Sequence, residues 1–230
     1  MKAQTPPVAA SSEKARLLNA LPRKLIAGFH AALDRVADFL VSIKASPNCI
    51  TVLGLVAGIA AGLLFALGLP LAAAGLIALC GIFDILDGKV ALRTQKRSLY
   101  GAIFDSTLDR YSEFFIYLGL AYYFRNRWPL WILFFTFLGS SMVSYTRARA
   151  EGLGFECKVG FMQRAERMIL LLFGSFLGPL FGIFDPVITV ILIIIALVSN
   201  VTAFQRILLV RREEKRRRLP PQGEKRGKMD

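Results

Sequence analysis

Histidine and cysteine are scarce in this chain. Among its 230 residues there is one histidine, His30, and there are three cysteines, Cys49, Cys80 and Cys157. A Ser-His-Asp triad and a zinc site built on histidine are therefore nearly excluded. The odd number of scattered cysteines predicts no disulfide framework, and we expect the thiols to be buried as small apolar side chains.

Acidic residues are outnumbered by basic ones. The chain has 29 lysines and arginines against 16 aspartates and glutamates, a net charge of +13, and the basic residues concentrate at the ends and in a few loops. Such a charge can indicate nucleic-acid binding, but 55% of the residues are hydrophobic and no soluble basic domain is left over. The sequence therefore predicts no nucleic-acid partner and favours the positive-inside pattern of a membrane protein.

Long apolar runs recur along the chain, whose mean hydropathy is +0.52. The run from Ile50 to Leu69 has no charged residue and, at about 20 residues, can cross the hydrocarbon core as a helix. We predict an all-α membrane protein with six transmembrane helices, which places both chain termini on the cytoplasmic side. The predicted spans are 48–69, 71–93, 98–124, 128–152, 163–183 and 186–210.

The regions around these spans differ in composition. Residues 1–18 are polar, contain no apolar core of a secretory signal and are predicted to be disordered. Residues 19–46 form an amphipathic helix, with an apolar stripe that either lies in the membrane interface or packs on the bundle. We assign 47–211 to the six-helix domain and 212–230 to a basic cytoplasmic tail. The stripe consists of Leu25, Phe29, Leu33, Val36, Leu40 and Ile43.

Two ridges of small residues predict close helix packing, by default within the chain, although a dimer seam is possible. They are Gly54, Gly58 and Gly62, and Gly174, Gly178 and Gly182.

Four aspartates lie between apolar runs: Asp84, Asp87, Asp105 and Asp109. Spacings of three and four place the members of each pair on one helix face. Gly88, Ala91 and Gly101 leave that face without bulk. Unpaired carboxylates at membrane depth cost on the order of a few kcal/mol each and repel one another. Oxygen ligands alone suit Mg²⁺ or Mn²⁺, so the acids indicate a two-metal centre acting on a phosphate ester or pyrophosphate. The alternative is neutralisation by nearby arginines.

This stretch resembles the signature of the CDP-alcohol phosphatidyltransferases, D-x2-D-G-x2-A-R-x8-G-x3-D-x3-D. Every spacing is kept, but Leu92 stands where the family has arginine, and Arg93 follows it. On a helix this shift turns the guanidinium by about 100°. The matching residues are Asp84, Asp87, Gly88, Ala91, Gly101, Asp105 and Asp109.

The resemblance implies roles for these positions. All four aspartates would be ligands of two Mg²⁺ or Mn²⁺ ions, with Asp109 also the general base. The segment "SPNCIT" resembles the Pro-Asn-x-x-Thr motif that precedes the family's first span. The resemblance implies CDP-lipid binding by Asn48, Thr51, Gly88, Ala91, Arg93, Ser98 and Gly101. For Asn48 and Thr51, helix capping is the alternative.

The family's reaction would transfer a phosphatidyl group from CDP-diacylglycerol to an alcohol and release CMP. A basic segment, "SYTRARAEGLGFECKVGFMQRAER", suits an acceptor that carries its own phosphate. The usual enrichment of basic residues in cytoplasmic loops of membrane proteins would also explain these charges. The segment resembles bacterial phosphatidylinositol phosphate synthases, so inositol phosphate is favoured, with glycerol 3-phosphate as the alternative. The predicted acceptor-binding residues are Arg147, Arg149, Lys158, Arg164 and Arg167.

Two other functions fit parts of the sequence. An intramembrane prenyltransferase also binds Mg²⁺-diphosphate, but its acidic motifs are usually far apart. A divalent-cation transporter would line its path with acids but would leave the basic segment unexplained. We therefore predict a CDP-alcohol phosphatidyltransferase in the bacterial inner membrane, a homodimer with its active site facing the cytoplasm.

Overall fold

A computed structural model describes residues 23–157 and 159–218, and within them the chain forms seven α-helices and no β-strand. All six segments predicted as spans are helical, and another helix precedes them. The helices are Arg23–Ser42 (α1), Pro47–Ala66 (α2), Pro70–Arg93 (α3), Leu99–Tyr123 (α4), Pro129–Gly152 (α5), Arg164–Leu180 (α6) and Phe184–Arg218 (α7). Residues 1–18, predicted to be disordered, lie outside the described residues.

Local sequence explains several helix boundaries. Pro47, Pro70 and Pro129 each occupy the first turn of a helix, where proline loses no backbone hydrogen bond and its fixed φ suits the helix. Ser98 precedes α4, and its hydroxyl accepts a hydrogen bond from the Gly101 backbone N–H at 2.9 Å. Gly68, at φ +74°, makes the turn between α2 and α3, in a backbone region that glycine enters without steric cost.

Four helices, α2, α3, α5 and α7, are long and apolar enough to cross a membrane. The chain is thus an integral membrane protein. The other two predicted spans, α4 and α6, are not among these four helices. Helix α4 carries the second pair of motif acids, and α6 has only 17 residues. The last helix continues to Arg218, beyond the predicted end at 210, because the following Arg, Glu and Lys residues are good helix formers.

The first glycine ridge is a helix–helix seam inside the chain. A Cβ on Gly62 would lie 2.2 Å from the Phe115 carbonyl oxygen, and one on Gly119 would lie 1.9 Å from the Gly62 carbonyl oxygen. The backbones of α2 and α4 therefore touch, which only glycine permits. In the second ridge, Gly174 and Gly178 face α7.

Helix α1 packs on the bundle through part of its apolar surface. Leu33 and Ala37 are buried against α2 and α3, in a cluster with Ile50, Leu86 and Val90. The predicted apolar stripe is therefore only partly buried, because its members Phe29, Val36 and Ile43 are exposed. Phe39, outside the stripe, is exposed as well.

The three cysteines also differ in their surroundings. Cys80 and Cys157 are buried, as expected, whereas Cys49 is exposed. The prediction of burial was therefore wrong for Cys49, which lies on the outer side of the first turn of α2.

Candidate active site

Three of the four motif aspartates converge between α3 and α4. One carboxylate oxygen from each of Asp84, Asp105 and Asp109 lies within 4.8 Å of the others. Asp105 Oδ1 is buried and has no hydrogen-bond partner in the described part of the chain. An unsatisfied buried carboxylate oxygen beside two further carboxylates suits a hard divalent cation, which takes oxygen ligands. The residues present therefore fit the metal that the motif implies.

Asp87 faces a neighbouring part of the site. Its Oδ2 accepts a hydrogen bond of 2.8 Å from the Thr51 hydroxyl on α2. The same Thr51 hydroxyl oxygen lies 3.1 Å from the Pro47 carbonyl oxygen. The Pro-Asn-x-x-Thr segment is thereby connected directly to the aspartate motif, and Asp87 is held at the border between the acid cluster and an adjoining cavity.

An arginine from a distant helix contacts the acid cluster. Arg164, at the start of α6, places Nη1 2.8 Å from Asp109 Oδ1 and 3.0 Å from Asp84 Oδ1. From the sequence, Arg164 is predicted to bind the acceptor substrate. The arginines considered there as partners that neutralise the acids are those next to the aspartate motif. In the structure a guanidinium 80 residues from Asp84 along the chain offsets part of the acidic charge.

Beside the acids is a first cavity of about 280 Å³, which we name cavity A. Residues of α2, α3 and α4 line it, and Asp87 and Asp105 are among them. Lys96 and Arg97, from the loop between α3 and α4, add positive charge to its lining. Cavity A brings together all of the predicted CDP-lipid residues except Arg93: Asn48, Thr51, Gly88, Ala91, Ser98 and Gly101.

Arg93 does not line cavity A. Its guanidinium contacts Asp34 at 2.6 Å and Asp38 at 3.0 Å, both on α1, while Lys89 contacts Asp34 at 2.8 Å. Hydrogen bonds from Lys89 and Arg93 lower the pKa of Asp34. The one-position shift relative to the family motif thus turns this arginine toward α1, and Leu92 is exposed.

A second cavity of about 550 Å³, which we name cavity B, also borders the acid cluster. Asp109 is in its wall, as are Arg147 and Arg164 from the predicted acceptor set. Arg149 is exposed and does not line it. Lys158 lies outside the described residues.

Arg167, the remaining member of the predicted acceptor set, is fully buried. Its Nε and Nη2 lie 2.5 and 2.7 Å from the two carboxylate oxygens of Glu113. Its Nη1 donates to the Met162 carbonyl at 3.1 Å. The side chain lines neither cavity A nor cavity B.

Arg206 on α7 also lines cavity B, and it is absent from the residues predicted from the sequence. It is buried, and it donates to the carbonyl oxygens of Val143 and Val159, the latter at 2.9 Å. A charged residue inside an otherwise apolar membrane helix indicates a functional site. On this basis Arg206 could have been predicted from the sequence.

Known proteins resemble this chain over the region that holds the site. The model of the family described as CDP-alcohol phosphatidyltransferase matches residues 44–202, which include all four motif aspartates. The chain belongs to the CDP-alcohol phosphatidyltransferase family. It is therefore an enzyme of this class, and the resemblance drawn from the aspartate motif is confirmed.

Relatives in sequence include synthases of inositol phosphate lipids. The archaetidylinositol phosphate synthase of Methanothermobacter thermautotrophicus is 37% identical over 77% of this chain and 88% of its own length. The phosphatidylinositol phosphate synthase of Mycobacterium tuberculosis is 31% identical over 83% of this chain and 90% of its own length.

The fold is similar to that of solved members. The crystal structure of the M. tuberculosis enzyme with CDP-DAG bound has a TM-score of 0.72 and 30% identity, covering 77% of this chain and 92% of that one. Its complex with manganese and citrate also has a TM-score of 0.72, with 29% identity, and covers 77% of this chain and 88% of that one.

Proposed function

We propose that this enzyme transfers a phosphatidyl group from CDP-diacylglycerol to the hydroxyl of inositol phosphate and releases CMP. The observation that carries the proposal is the position of the acid cluster between two cavities. Asp105 lines cavity A, and Asp109, one turn further along α4, lines cavity B. A donor in one cavity and an acceptor in the other would meet at these carboxylates.

In this proposal cavity A takes the CDP moiety. Gly88 leaves space for a close approach to α3, because a Cβ at this position would meet no side chain or neighbouring helix within 4 Å. Lys96 and Arg97 supply charge for the diphosphate, and Ser98 orders the start of α4 beside it. Arg93, which contacts α1, is assigned a supporting role rather than direct contact with the CDP-lipid.

The four motif aspartates would hold the metal, for which we retain two Mg²⁺ or Mn²⁺ ions. When bound, such ions stabilise the charge on a diphosphate and its leaving phosphate. Asp109 would receive the proton of the acceptor hydroxyl. The acceptor oxygen then forms a bond to the phosphorus that bears the diacylglycerol, the bond from that phosphorus to the CMP oxygen breaks, and CMP leaves.

Cavity B suits an acceptor that carries a phosphate. Arg147, Arg164 and Arg206 line it from three helices, and guanidinium groups bind phosphate oxygens strongly. Inositol phosphate is favoured because relatives that match most of this chain are named for inositol phosphate lipids. The predicted contact from Lys158 stays part of the proposal, whereas Arg149, which does not line cavity B, is assigned no contact with the acceptor. Glycerol 3-phosphate is the second candidate because the same cations would bind its phosphate.

The membrane arrangement belongs to the same proposal. All six helices α2 to α7 would span the bacterial inner membrane, with both cavities opening toward the cytoplasm, where a soluble acceptor is available. The outward apolar residues of α1, such as Phe29 and Phe39, would rest in the membrane interface. We also propose that the enzyme is a homodimer.

The test is CMP release by the purified protein in lipid, with CDP-diacylglycerol and Mg²⁺. The acceptor panel contains inositol 1-phosphate, glycerol 3-phosphate, free inositol and serine. We expect release with inositol 1-phosphate and its loss in Asp109→Asn. Release with glycerol 3-phosphate alone would establish the second candidate, and release with neither phosphorylated acceptor would refute the proposal.

A further inference from the structure

A buried ion pair lies next to the acid cluster and has no role in the proposal so far. Glu113 and Arg167 form two parallel hydrogen bonds, and their side chains are only 6% and 1% exposed. Taking two charges out of water is expensive, and a buried pair often stabilises a protein no more than apolar residues of similar volume would. Overall stability alone therefore does not explain this pair.

Its place in the helices relates the pair to the groups at the acid cluster. Glu113 follows Asp109 by one turn of α4, and Arg167 follows Arg164 by one turn of α6. Asp109 and Arg164 are themselves paired at 2.8 Å. The two pairs thus connect α4 to α6 at successive levels. Glu113 lines cavity B, and Arg167 does not.

Further hydrogen bonds fix the buried pair from other directions. The Tyr117 hydroxyl donates to Glu113 Oε1 at 2.9 Å and lies 3.2 Å from the Ser140 hydroxyl on α5. Arg167 Nη1 holds the Met162 carbonyl in the segment that leads into α6. The pair is therefore anchored by α5 and by this segment, in addition to the two helices that carry it.

These contacts argue against direct binding of the acceptor by Arg167. Each of its three guanidinium nitrogens already donates to Glu113 or Met162, and the side chain does not line cavity B. The two N–H groups that remain on Nη1 and Nη2 belong to a side chain of which only 1% is exposed, so a phosphate in cavity B has little access to them.

We propose that Glu113 and Arg167 are positioning residues, which hold Asp109 and Arg164 in their places between the two cavities. This inference rests on the proposed function, because it assigns the pair to the reaction at that site. A displacement of about 1 Å in a reacting group can lower a rate by about 100-fold. Loss of the pair should therefore lower kcat while leaving substrate binding nearly unchanged.

The decisive variant replaces both partners by apolar residues, Glu113→Leu with Arg167→Met, so that no lone charge remains buried. Its matched control is Arg127→Met with Asp185→Leu, which removes an ion pair that lines neither cavity. For both proteins we would measure kcat and KM for CMP release, and Mn²⁺ affinity by EPR. The charge-keeping variant Arg167→Lys would be measured beside them.

We expect kcat of the pair variant to fall about 10- to 100-fold, with both KM values within about threefold of the parent. Mn²⁺ should bind more weakly, because Asp109 is proposed as a ligand. Arg167→Lys should recover part of kcat, and the control should match the parent. An unchanged kcat in the pair variant would overturn the inference. So would a rise in acceptor KM at constant kcat, which would assign the pair to acceptor contact.

Failure of folding and failure of the proposed function have distinct signatures. If the pair variant does not fold, Arg167→Lys decides the question, because a parental kcat there would contradict a need for the bidentate geometry. If the parent protein releases no CMP with any acceptor, the proposed function fails. The Mn²⁺ measurement then tests the positioning role by itself, and an affinity equal to that of the parent would refute it.

Discussion

Gly88 offers a test of cavity A that separates binding from folding. It lies on α3 in the wall of this cavity, directly after Asp87. A Cβ added at Gly88 would meet no side chain or neighbouring helix within 4 Å. The methyl group of Gly88→Ala would therefore project into the space that we assign to the CDP moiety, without disturbing the protein.

The two effects of this substitution have opposite signs. Replacing glycine by alanine within a helix reduces the conformational entropy of the unfolded chain, and at a compatible position it stabilises by about 0.4–1 kcal/mol. One misplaced methyl-sized group in a binding pocket costs about 1–3 kcal/mol, or about 10- to 200-fold. We expect Gly88→Ala to retain or slightly raise thermal stability while affinity for the CDP-lipid falls by that factor.

A matched control is available on the same helix. Gly75 is also helical, its added Cβ would likewise meet nothing within 4 Å, and it lines neither cavity. Gly75→Ala should change stability in the same direction as Gly88→Ala and leave activity at the parental level. The comparison removes the helix-propensity effect from the result.

The assay is KM for CDP-diacylglycerol in CMP release, together with the thermal unfolding midpoint in the same lipid or detergent. A parental KM for Gly88→Ala would refute the assignment of CDP to this face of α3. A large fall in its unfolding midpoint, not shared by Gly75→Ala, would show that the space around Gly88 is filled by the protein itself.

Three further predictions address packing, pH and metal. Gly119→Ala places a methyl group 1.9 Å from the Gly62 carbonyl oxygen, so we expect a destabilisation of about 1–3 kcal/mol. Thermal unfolding would measure it, and an unfolding midpoint equal to that of the parent would contradict the close contact between α2 and α4. The folded-state pKa of Asp34 is lowered by Lys89 and Arg93, so its contribution to docking α1 is present above its ordinary pKa and is lost as pH falls through the folded value. The protection of the α1 amides, relative to their intrinsic exchange rates, should therefore fall only below about pH 4, and Asp34→Asn should remove this dependence. EDTA should abolish CMP release and Mn²⁺ should restore it, whereas activity that survives EDTA would exclude a metal-dependent reaction.

Much of cavity A follows from the local sequence. Its residues come from the Pro-Asn-x-x-Thr segment and from the aspartate motif, which spans 84–109. The 3.6-residue period of a helix fixes which side chains share a face. The sequence alone therefore placed Asp84 with Asp87 on one face of α3, and Asp105 with Asp109 on one face of α4, beside their small neighbours. The close contact of α2 with α4 could also be anticipated in part, because the glycine ridge permits a close neighbour.

Cavity B and the direction of individual charged side chains were decided by the tertiary structure. Arg164 and Arg206 come from helices far along the chain, and only the packing of α6 and α7 brings them to the same cavity as Asp109. Arg93 stands next to the motif in sequence, yet Asp34 on α1 turns it away. Arg167 is in the basic segment, yet it pairs with Glu113 and does not line the cavity. The helical period fixes which residues share a face of one helix. The rotation of each helix relative to its neighbours depends on the whole packed bundle, and that rotation decides which partner each long side chain contacts.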